Sequence, residues 1–106
     1  MITRIWHGWT TLENADAYQN LLETEIFPGI AAKNIPGYLG ISLLRRTVGR
    51  EVEFITLMWF ASLEQIRAFA GESYETAVVP PTARQLLKRF DERSQHYETV
   101  VPPFSK

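Results

Sequence analysis

Residues 52–61 constrain the fold most, because they form a strand whose two faces are both apolar. Read as a strand, VEFITLMWFA turns three large side chains to each side: Phe54, Met58 and Phe60 to one, and Ile55, Leu57 and Trp59 to the other. An antiparallel sheet that carries helices on one face normally alternates apolar with polar residues. Residues 2–9, the first predicted strand, are apolar on both sides in a similar way. The chain must therefore cover both faces of its sheet.

Short elements surround this strand and predict the order β-α-β-β-α-β, with a further helical segment before the last strand. In chain order they are a strand at 2–9, a helix at 14–27, a turn at 34–37, strands at 38–47 and 52–61, helices at 62–71 and 82–92, and a strand at 94–101. Pro28 is expected to kink or end the first helix, and residues 30–33 to add a turn. Ser62 and Gln65 have the spacing of a capping box, which predicts the start of the second helix.

This order is that of a ferredoxin-like split βαβ domain, an α+β fold with a four-stranded antiparallel sheet and helices on one face. A chain of 106 residues fits one such domain, spanning 1–106. Two or three helices cover only one face, and the other would leave an apolar patch larger than monomers usually expose. A second copy packed sheet to sheet would cover it, so we expect a homodimer. The alternative cover is the tail at 100–106, which is long enough for only part of a sheet.

Composition excludes several classes of function. The net charge of −1 gives no electrostatic footprint for nucleic acid or an anionic membrane. The chain has no cysteine, which excludes disulfides, Cys-ligated metals and thiol nucleophiles. No stretch approaches the roughly 20 apolar residues of a membrane span, and the N-terminus does not have the pattern of a signal peptide. Nucleophile elbows and phosphate-binding glycine runs are also absent from the sequence. We therefore expect a cytoplasmic protein.

The only two histidines, His7 and His96, fall on the first and last predicted strands. If these strands pair end to end, the numbers of opposed residues sum to about 103, which sets His7 opposite His96 and Ile5 opposite Glu98 on one face. A slip of one residue would reverse the face of a whole strand. The pair predicts a pocket with a catalytic imidazole base that a neighbouring carboxylate assists. The alternative is two structural histidines that form local hydrogen bonds. Two histidines and a carboxylate also suit non-haem iron, but the usual ligand spacings are absent, and no metal site is predicted.

Aromatic residues are frequent for so small a domain, at 12% of the chain. The candidates for binding a flat substrate in an apolar pocket are Trp9, Trp59, Phe69 and Tyr74. For each of them the alternative is packing in the core or in an interface.

Several strings, in their order along the chain, resemble the antibiotic biosynthesis monooxygenase domain family, the dimeric α+β barrels. They are residues 4–8 (RIWHG), 44–46 (LRR), Trp59, 68–71 (AFAG) and 96–98 (HYE). The resemblance covers nearly the whole chain and implies a dimeric α+β barrel. Members of this superfamily include cofactor-free oxygenases of aromatic polyketides, haem-degrading enzymes and proteins of no known function. The oxygenases bind flat phenolic substrates in an apolar pocket between sheet and helices.

The haem-degrading relatives offer a test of this chain by position. Their site uses an Asn late in the first strand, a Trp in the second helix and a His in the next segment. These roles fall near His7, Phe69 and Val78 or Val79, and none of the residue types matches. The resemblance therefore favours a monooxygenase with no cofactor acting on a phenolic molecule, with His7 as a neutral base on the face toward the helices. The alternative is a non-catalytic domain that binds a small ligand or assembles.

Overall fold

Three long strands form the centre of the molecule, and the two-sided strand, the second of the predicted hairpin, lies between the other two. The structure, a computed structural model, describes residues 1–103. Its elements are β1 (Ile2–Thr11), α1 (Ala15–Leu21), a π-helical turn (Leu22–Ile26), α2 (Phe27–Ala32), β2 (Tyr38–Val48), β3 (Glu51–Phe60), α3 (Leu63–Ala70), α4 (Pro81–Arg84), β4 (Leu87–Phe90) and β5 (Gln95–Glu98). None of the helices within residues 1–103 is long and apolar enough to cross a bilayer.

The sheet is antiparallel with the strand order β2-β3-β1-β4, and β5 also pairs with β1. β4 pairs with Gly8–Thr10 of β1, whereas β5 pairs with Ile2–Ile5. The two short strands therefore share the fourth position of the sheet, one at each end of β1. This confirms the predicted ferredoxin-like α+β fold, with the last strand position divided between two segments.

The predicted helix at 82–92 is wrong. Only Pro81–Arg84 is helical, and Leu87–Phe90 is the strand β4. The apolar residues Leu86, Leu87 and Phe90 suit one side of a helix, but the exposed edge of β1 offers backbone hydrogen bonds to an extended segment. Tertiary pairing of this kind overrides a weak local helix propensity.

The first helical region does not end at Pro28 but continues through it to Ala32. Proline lacks an N–H and its ring meets the carbonyl four residues earlier, so an ordinary α-helix is broken there. The chain accommodates this with the π-helical turn Leu22–Ile26 just before the proline, because a π turn widens the hydrogen-bond spacing. The helix consequently keeps covering the sheet beyond the proline.

The buried side chains of the helices all pack against one face of the sheet. Two clusters lie there: Tyr18 and Leu22 pack on Val52 and Phe54, with Ala15 and Ala83, and Ile66 packs on Met58 and Phe60. The rings of Tyr18 and Phe54 meet edge to face with centroids 4.8 Å apart. Phe60 and Ile66 are fully buried, and burying a side chain of this size contributes about 1.5–3 kcal/mol. We call this side the helix face.

The other side of the sheet, which we call the open face, carries the odd-numbered residues of β1 and β3. Ile55 and Leu57 are half-buried there, Trp59 is buried, and Leu44 of β2 is 49% exposed. Residues 100–103 of the tail are exposed, with Val100 at 89%, and residues 104–106 lie outside the described part. The described tail therefore leaves much of the apolar surface of this face in contact with solvent.

Gly37 lies in the turn before β2 and packs closely against the start of α3. Its φ is +79°, and an added Cβ would lie 2.5 Å from Cγ of Gln65. Ser62 begins α3 as predicted, but its hydroxyl donates to the Gln65 side chain and makes no capping bond to the helix backbone. A glycine is required at position 37 because both the backbone angle and the space exclude a side chain.

We expect Gly37→Ala to lower the free energy of unfolding by about 1–3 kcal/mol, the usual cost of a non-glycine residue at positive φ. Gly29→Ala is the matched control. Gly29 lies in α2 with nothing within 4 Å of its added Cβ, so this variant should be unchanged or up to about 1 kcal/mol more stable. Urea unfolding followed by circular dichroism measures both. Equal loss of stability in the two variants would contradict this assignment.

Candidate functional site

A cavity of about 70 Å³ lies between the helix face of the sheet and the helices; we call it the helix-side cavity. Its walls are mostly apolar and include Trp6, Ile30, Met58, Phe69, Val78 and Val79. The lining side chains that carry a hydroxyl or a charge are Arg4, Tyr18, Thr56 and Ser94. Sites for drug-sized ligands span roughly 300–1,000 Å³, so this cavity suits only a small guest unless its walls move.

Arg4 is the charged residue of this cavity and is only 3% exposed. Its Nη1 donates to the carbonyl of Tyr74 at 2.6 Å and lies 2.9 Å from Nε2 of His96. Its Nη2 donates to the carbonyl of Thr76 at 3.4 Å, and the ring of Phe69 lies 5.6 Å from the guanidinium carbon. Among residues 1–103 it forms no ion pair. Burial lowers the pKa of Arg4 to about 10, which leaves it a cation at neutral pH.

His96 is held in contact with Arg4 by the register of β5. Arg4 faces His96 and Ile5 faces Gln95 across the β1–β5 pair. The predicted opposition of His7 to His96, and of Ile5 to Glu98, is therefore wrong. The register differs by an odd number of residues, which puts the two histidines on different faces. β5 reaches this register because the preceding strand, β4, already occupies the Gly8–Thr10 end of β1.

The protonation of His96 follows from this contact. Arg4 can only donate, so Nε2 of His96 accepts and the ring carries its proton on Nδ1. Burial lowers the pKa of His96 below its usual 6.5, the charge of Arg4 lowers it further, and Glu75 opposes the shift. The ring of Tyr74 packs against His96 with centroids 5.2 Å apart. His96 is therefore a neutral acceptor for Arg4. The lone pair on Nε2 accepts this hydrogen bond and does not serve as a base for a ligand.

His7 lies on the open face, so the expectation that it faces the helices is wrong. The physical reason is the pairing of even with even residues between β1 and β3, which sends Arg4 and Trp6 to the helix face. On the open face, Nδ1 of His7 is 3.4 Å from Oε2 of Glu53, whose Oε1 accepts from Nε of Arg46 at 2.6 Å. The imidazole lies at a buried carboxylate, away from the helix-side cavity.

The four aromatic candidates divide between the two faces. Phe69 lines the helix-side cavity, and Tyr74 lies beside Arg4 and His96. Trp9 stacks against Arg89 on the open face, with the guanidinium carbon 3.9 Å from its ring, and Trp59 is on that face too. The sequence analysis missed the contribution of Arg4. The available signal was a charged residue at an inward position of a strand that is otherwise rich in apolar side chains.

A second concavity is an open groove of about 920 Å³ along residues 90–98. His96 and Tyr74 lie on its wall, and Ser94 lines both the groove and the helix-side cavity. The groove is wide open and slightly more than half of its lining surface is polar, which suits solvent better than a small apolar guest. The helix-side cavity is the more enclosed of the two and is therefore the candidate site.

The described lining of the helix-side cavity lacks the histidine that the resemblance to haem-degrading relatives led us to look for. Val78 and Val79 form part of its wall, as their position along the chain suggested, and no histidine is among its described lining residues. Within residues 1–103 there is also no cluster of three or more His, Cys, Asp or Glu that could hold a metal ion.

Comparisons with known proteins agree on the fold. A protein from Bacillus cereus, named as a proposed antibiotic biosynthesis monooxygenase, superimposes with a TM-score of 0.66 at 12% identity, over 100% of this chain and 97% of its own. The haem degrader MhuD of Mycobacterium tuberculosis, with two haems in its active site, gives 0.57 at 22% identity over 96% and 98%. A substituted MhuD with two manganese protoporphyrin IX molecules per active site gives 0.58 at 21% over 99% and 100%.

No protein-family model matches the sequence, and no curated protein matches it either. The structural likenesses nevertheless extend over nearly the whole chain. They confirm the expected fold, that of the antibiotic biosynthesis monooxygenase type. At these identities they carry the fold alone.

We expect the imidazole of His96 to titrate below 6.5 in NMR spectra of the folded protein, with its proton on Nδ1 when neutral. The unfolded chain then binds more protons than the native state between the native pKa and 6.5, so the free energy of unfolding falls as pH drops through that window. His96→Gln keeps an acceptor for Arg4 but does not titrate, and should flatten this dependence. His7→Gln is the control and should retain it. A His96 pKa at or above 6.5 would refute the assignment.

Proposed function

We propose that this chain, which has the fold of the antibiotic biosynthesis monooxygenase type, is a small-molecule monooxygenase that needs no bound cofactor. Its substrate would be a phenol held in the helix-side cavity. The observation that carries the proposal is the combination in one partly enclosed site of mostly apolar walls with a single buried cation, Arg4. Such a site limits the access of water and places a fixed positive charge where a phenolate would lie.

In this proposal the substrate supplies all the electrons. A phenol that carries hydrogen at the reacting ring carbon loses its hydroxyl proton to solvent on binding, and the phenolate carbon forms a bond to dioxygen. Cleavage of the O–O bond then leaves one oxygen atom in a quinone carbonyl and releases the other as water. The protein has to favour the phenolate, hold the ring and keep the site dry. A desolvated guanidinium achieves the first of these because an opposite charge lowers the pKa of an acid.

The two histidines take different roles from those expected. His96 accepts from Arg4, so we assign it as a positioning residue that holds the guanidinium at the cavity wall. His7 is at Glu53 on the open face, and in this proposal it takes no part in the chemistry of the cavity. Arg4 replaces the expected base, because it promotes ionisation of the substrate by its charge and needs to accept no proton.

The size of the cavity limits the substrate. A volume of about 70 Å³ suits one ring at most, whereas a fused-ring molecule requires the wall at Val78 and Val79 to move outward. Arg84 holds this wall by donating from Nε to the carbonyl of Val79 at 3.1 Å. We therefore propose single-ring phenols as the first substrates to test.

A second candidate function is a domain that binds a small ligand without catalysis. It is favoured by one observation: within the described chain no imidazole or carboxylate lines the helix-side cavity. A binding domain needs no general base, whereas an oxygenase without one depends on Arg4 alone. Turnover of dioxygen separates the two candidates.

We also propose that the chain is a homodimer that pairs its open faces. Ile55 and Leu57 are half-buried, and Leu44 and Val48 are each 49% exposed. A contiguous apolar surface of this kind on a twisted sheet is stabilised by a second copy packed on it with twofold symmetry. The cytoplasmic location stays a prediction from the sequence.

We expect protein-dependent oxygen uptake with at least one member of a panel of single-ring phenols, with one O₂ consumed per quinone formed. Supplying ¹⁸O₂ should place one labelled atom in the quinone and the other in water. Val79→Phe fills the cavity and should remove most of this uptake, whereas Val100→Phe, at a position that is 89% exposed, should keep it. Saturable binding of these phenols without any uptake would overturn the oxygenase and support the binding domain.

We expect light scattering to give twice the chain mass of 12.2 kDa at micromolar concentration. Leu44→Glu places a charge in the proposed interface and should shift the protein toward monomer, since burying an unpaired carboxylate is costly. Leu12→Glu is the control, because Leu12 is exposed (52%) in the turn after β1. A wild-type protein of monomer mass would defeat the proposed dimer.

A further inference from the structure

Arg4 is a buried cation whose protein partners are all neutral. Two backbone carbonyls, the imidazole of His96 and the face of Phe69 surround it, and no carboxylate within residues 1–103 forms an ion pair with it. Charged side chains are almost never this buried unless a counter-charge compensates the loss of hydration. Desolvation alone accounts for the lowered pKa of Arg4. The site thus has a positive charge with no fixed negative partner.

The guanidinium of Arg4 also has N–H donors without a hydrogen-bond acceptor among the described residues. Of its five N–H groups, those on Nη1 lie at the Tyr74 carbonyl and at His96, and one on Nη2 is at the Thr76 carbonyl. The N–H of Nε and the second N–H of Nη2 have no acceptor among the described residues. Nε and Nη2 form one of the two edges of a guanidinium that bind a carboxylate through two parallel hydrogen bonds.

We propose that Arg4 is the anchor for an anionic group of the ligand, and that the helix-side cavity selects small aromatic monoanions over neutral molecules of the same shape. The shared chemistry is a planar oxyanion, which is either a carboxylate on the ring or an ionised ring oxygen. This inference rests on the proposed function only in taking the helix-side cavity as the ligand site. It requires no reaction with oxygen.

The position of Arg4 in the fold supports an anchor. It comes from the central strand β1, and its partners belong to the segment 74–76 and to β5. Three contacts from two different segments hold the guanidinium plane, so little side-chain entropy is left to lose when a ligand binds. The apolar wall next to it, Phe69 and Met58, would pack on the ring of the ligand.

The structural alternative is an arginine that only ties the segment 74–76 to the sheet. Such a residue would be satisfied by its carbonyl acceptors and would be indifferent to the charge of a guest. The two readings therefore differ in one measurable property, the preference of the wild-type protein for an anion over its neutral counterpart. This comparison needs no substitution that endangers folding.

The test is equilibrium binding to the wild-type protein of benzoate and of benzamide, its neutral counterpart, by calorimetry and by shifts of backbone amide resonances. We expect benzoate to bind about 10- to 100-fold more tightly, the range for hydrogen bonds to a charged group. The shifted resonances should include Arg4, Phe69 and Met58. Arg4→Met should abolish the preference, and Arg50→Met, an exposed arginine in the β2–β3 turn, should keep it.

A parallel titration with 4-nitrophenolate distinguishes the two sources of the oxyanion. Tighter binding of benzoate identifies a carboxylate as the anchored group, and tighter binding of the phenolate identifies the ring oxygen. Equal affinity for benzoate and benzamide, failure of benzoate to bind, or resonance shifts away from Arg4 would each overturn the inference. A preference for benzoate in a protein that consumes no oxygen would overturn the proposed oxygenase and leave the anchor intact.

Discussion

The pairing of β1 with β3 governs the whole arrangement, because both strands are central and even residues of one oppose even residues of the other. Because side chains alternate along a strand, this register fixes the face to which every residue of β1 and β3 points. The helix face receives Arg4 and Trp6 from β1, together with Phe54, Met58 and Phe60 from β3. The open face receives His7 and Trp9. Which side chains of β1 and β3 meet the helix-side cavity is thus decided by one register, and the helices complete its walls.

The divided edge of the sheet places the partners of the buried cation. β4 and β5 share one side of β1, and the bend between them brings Ser94 to the cavity and His96 to Arg4. The segment before α4 supplies carbonyls from Tyr74 and Thr76 to the same guanidinium. If residues 91–94 had continued β4 into β5 as one strand, their backbone would form regular hydrogen bonds with β1 instead. The irregular edge therefore creates the polar end of a cavity that is otherwise apolar.

Several elements could be predicted because local pattern and tertiary demand agree. The hairpin of β2 and β3, the strand β1 and the helix α3 fall within a residue or two of their predicted bounds. For the strands, the reason is that runs of β-branched and aromatic residues favour an extended chain packed in a sheet. Leu87–Phe90 shows the opposite case. Its apolar spacing suits a helix, but the open edge of β1 supplies hydrogen bonds that only an extended chain can use. The π-helical turn before Pro28 is a similar accommodation.

The sequence by itself determined the α+β class, the order of the elements, the apolar character of both faces and the absence of cysteine chemistry, because these depend on residue type and on periodicity along the chain. Only the tertiary structure decided that Arg4 and Phe69, rather than His7 and Trp9, meet the cavity, and that His96 contacts Arg4. A shift of three residues in the pairing of β5 with β1 was enough to separate the two histidines. The side-chain period of a strand is two, so any odd shift exchanges its faces, and that shift is decided by which segment reaches the edge of β1 first.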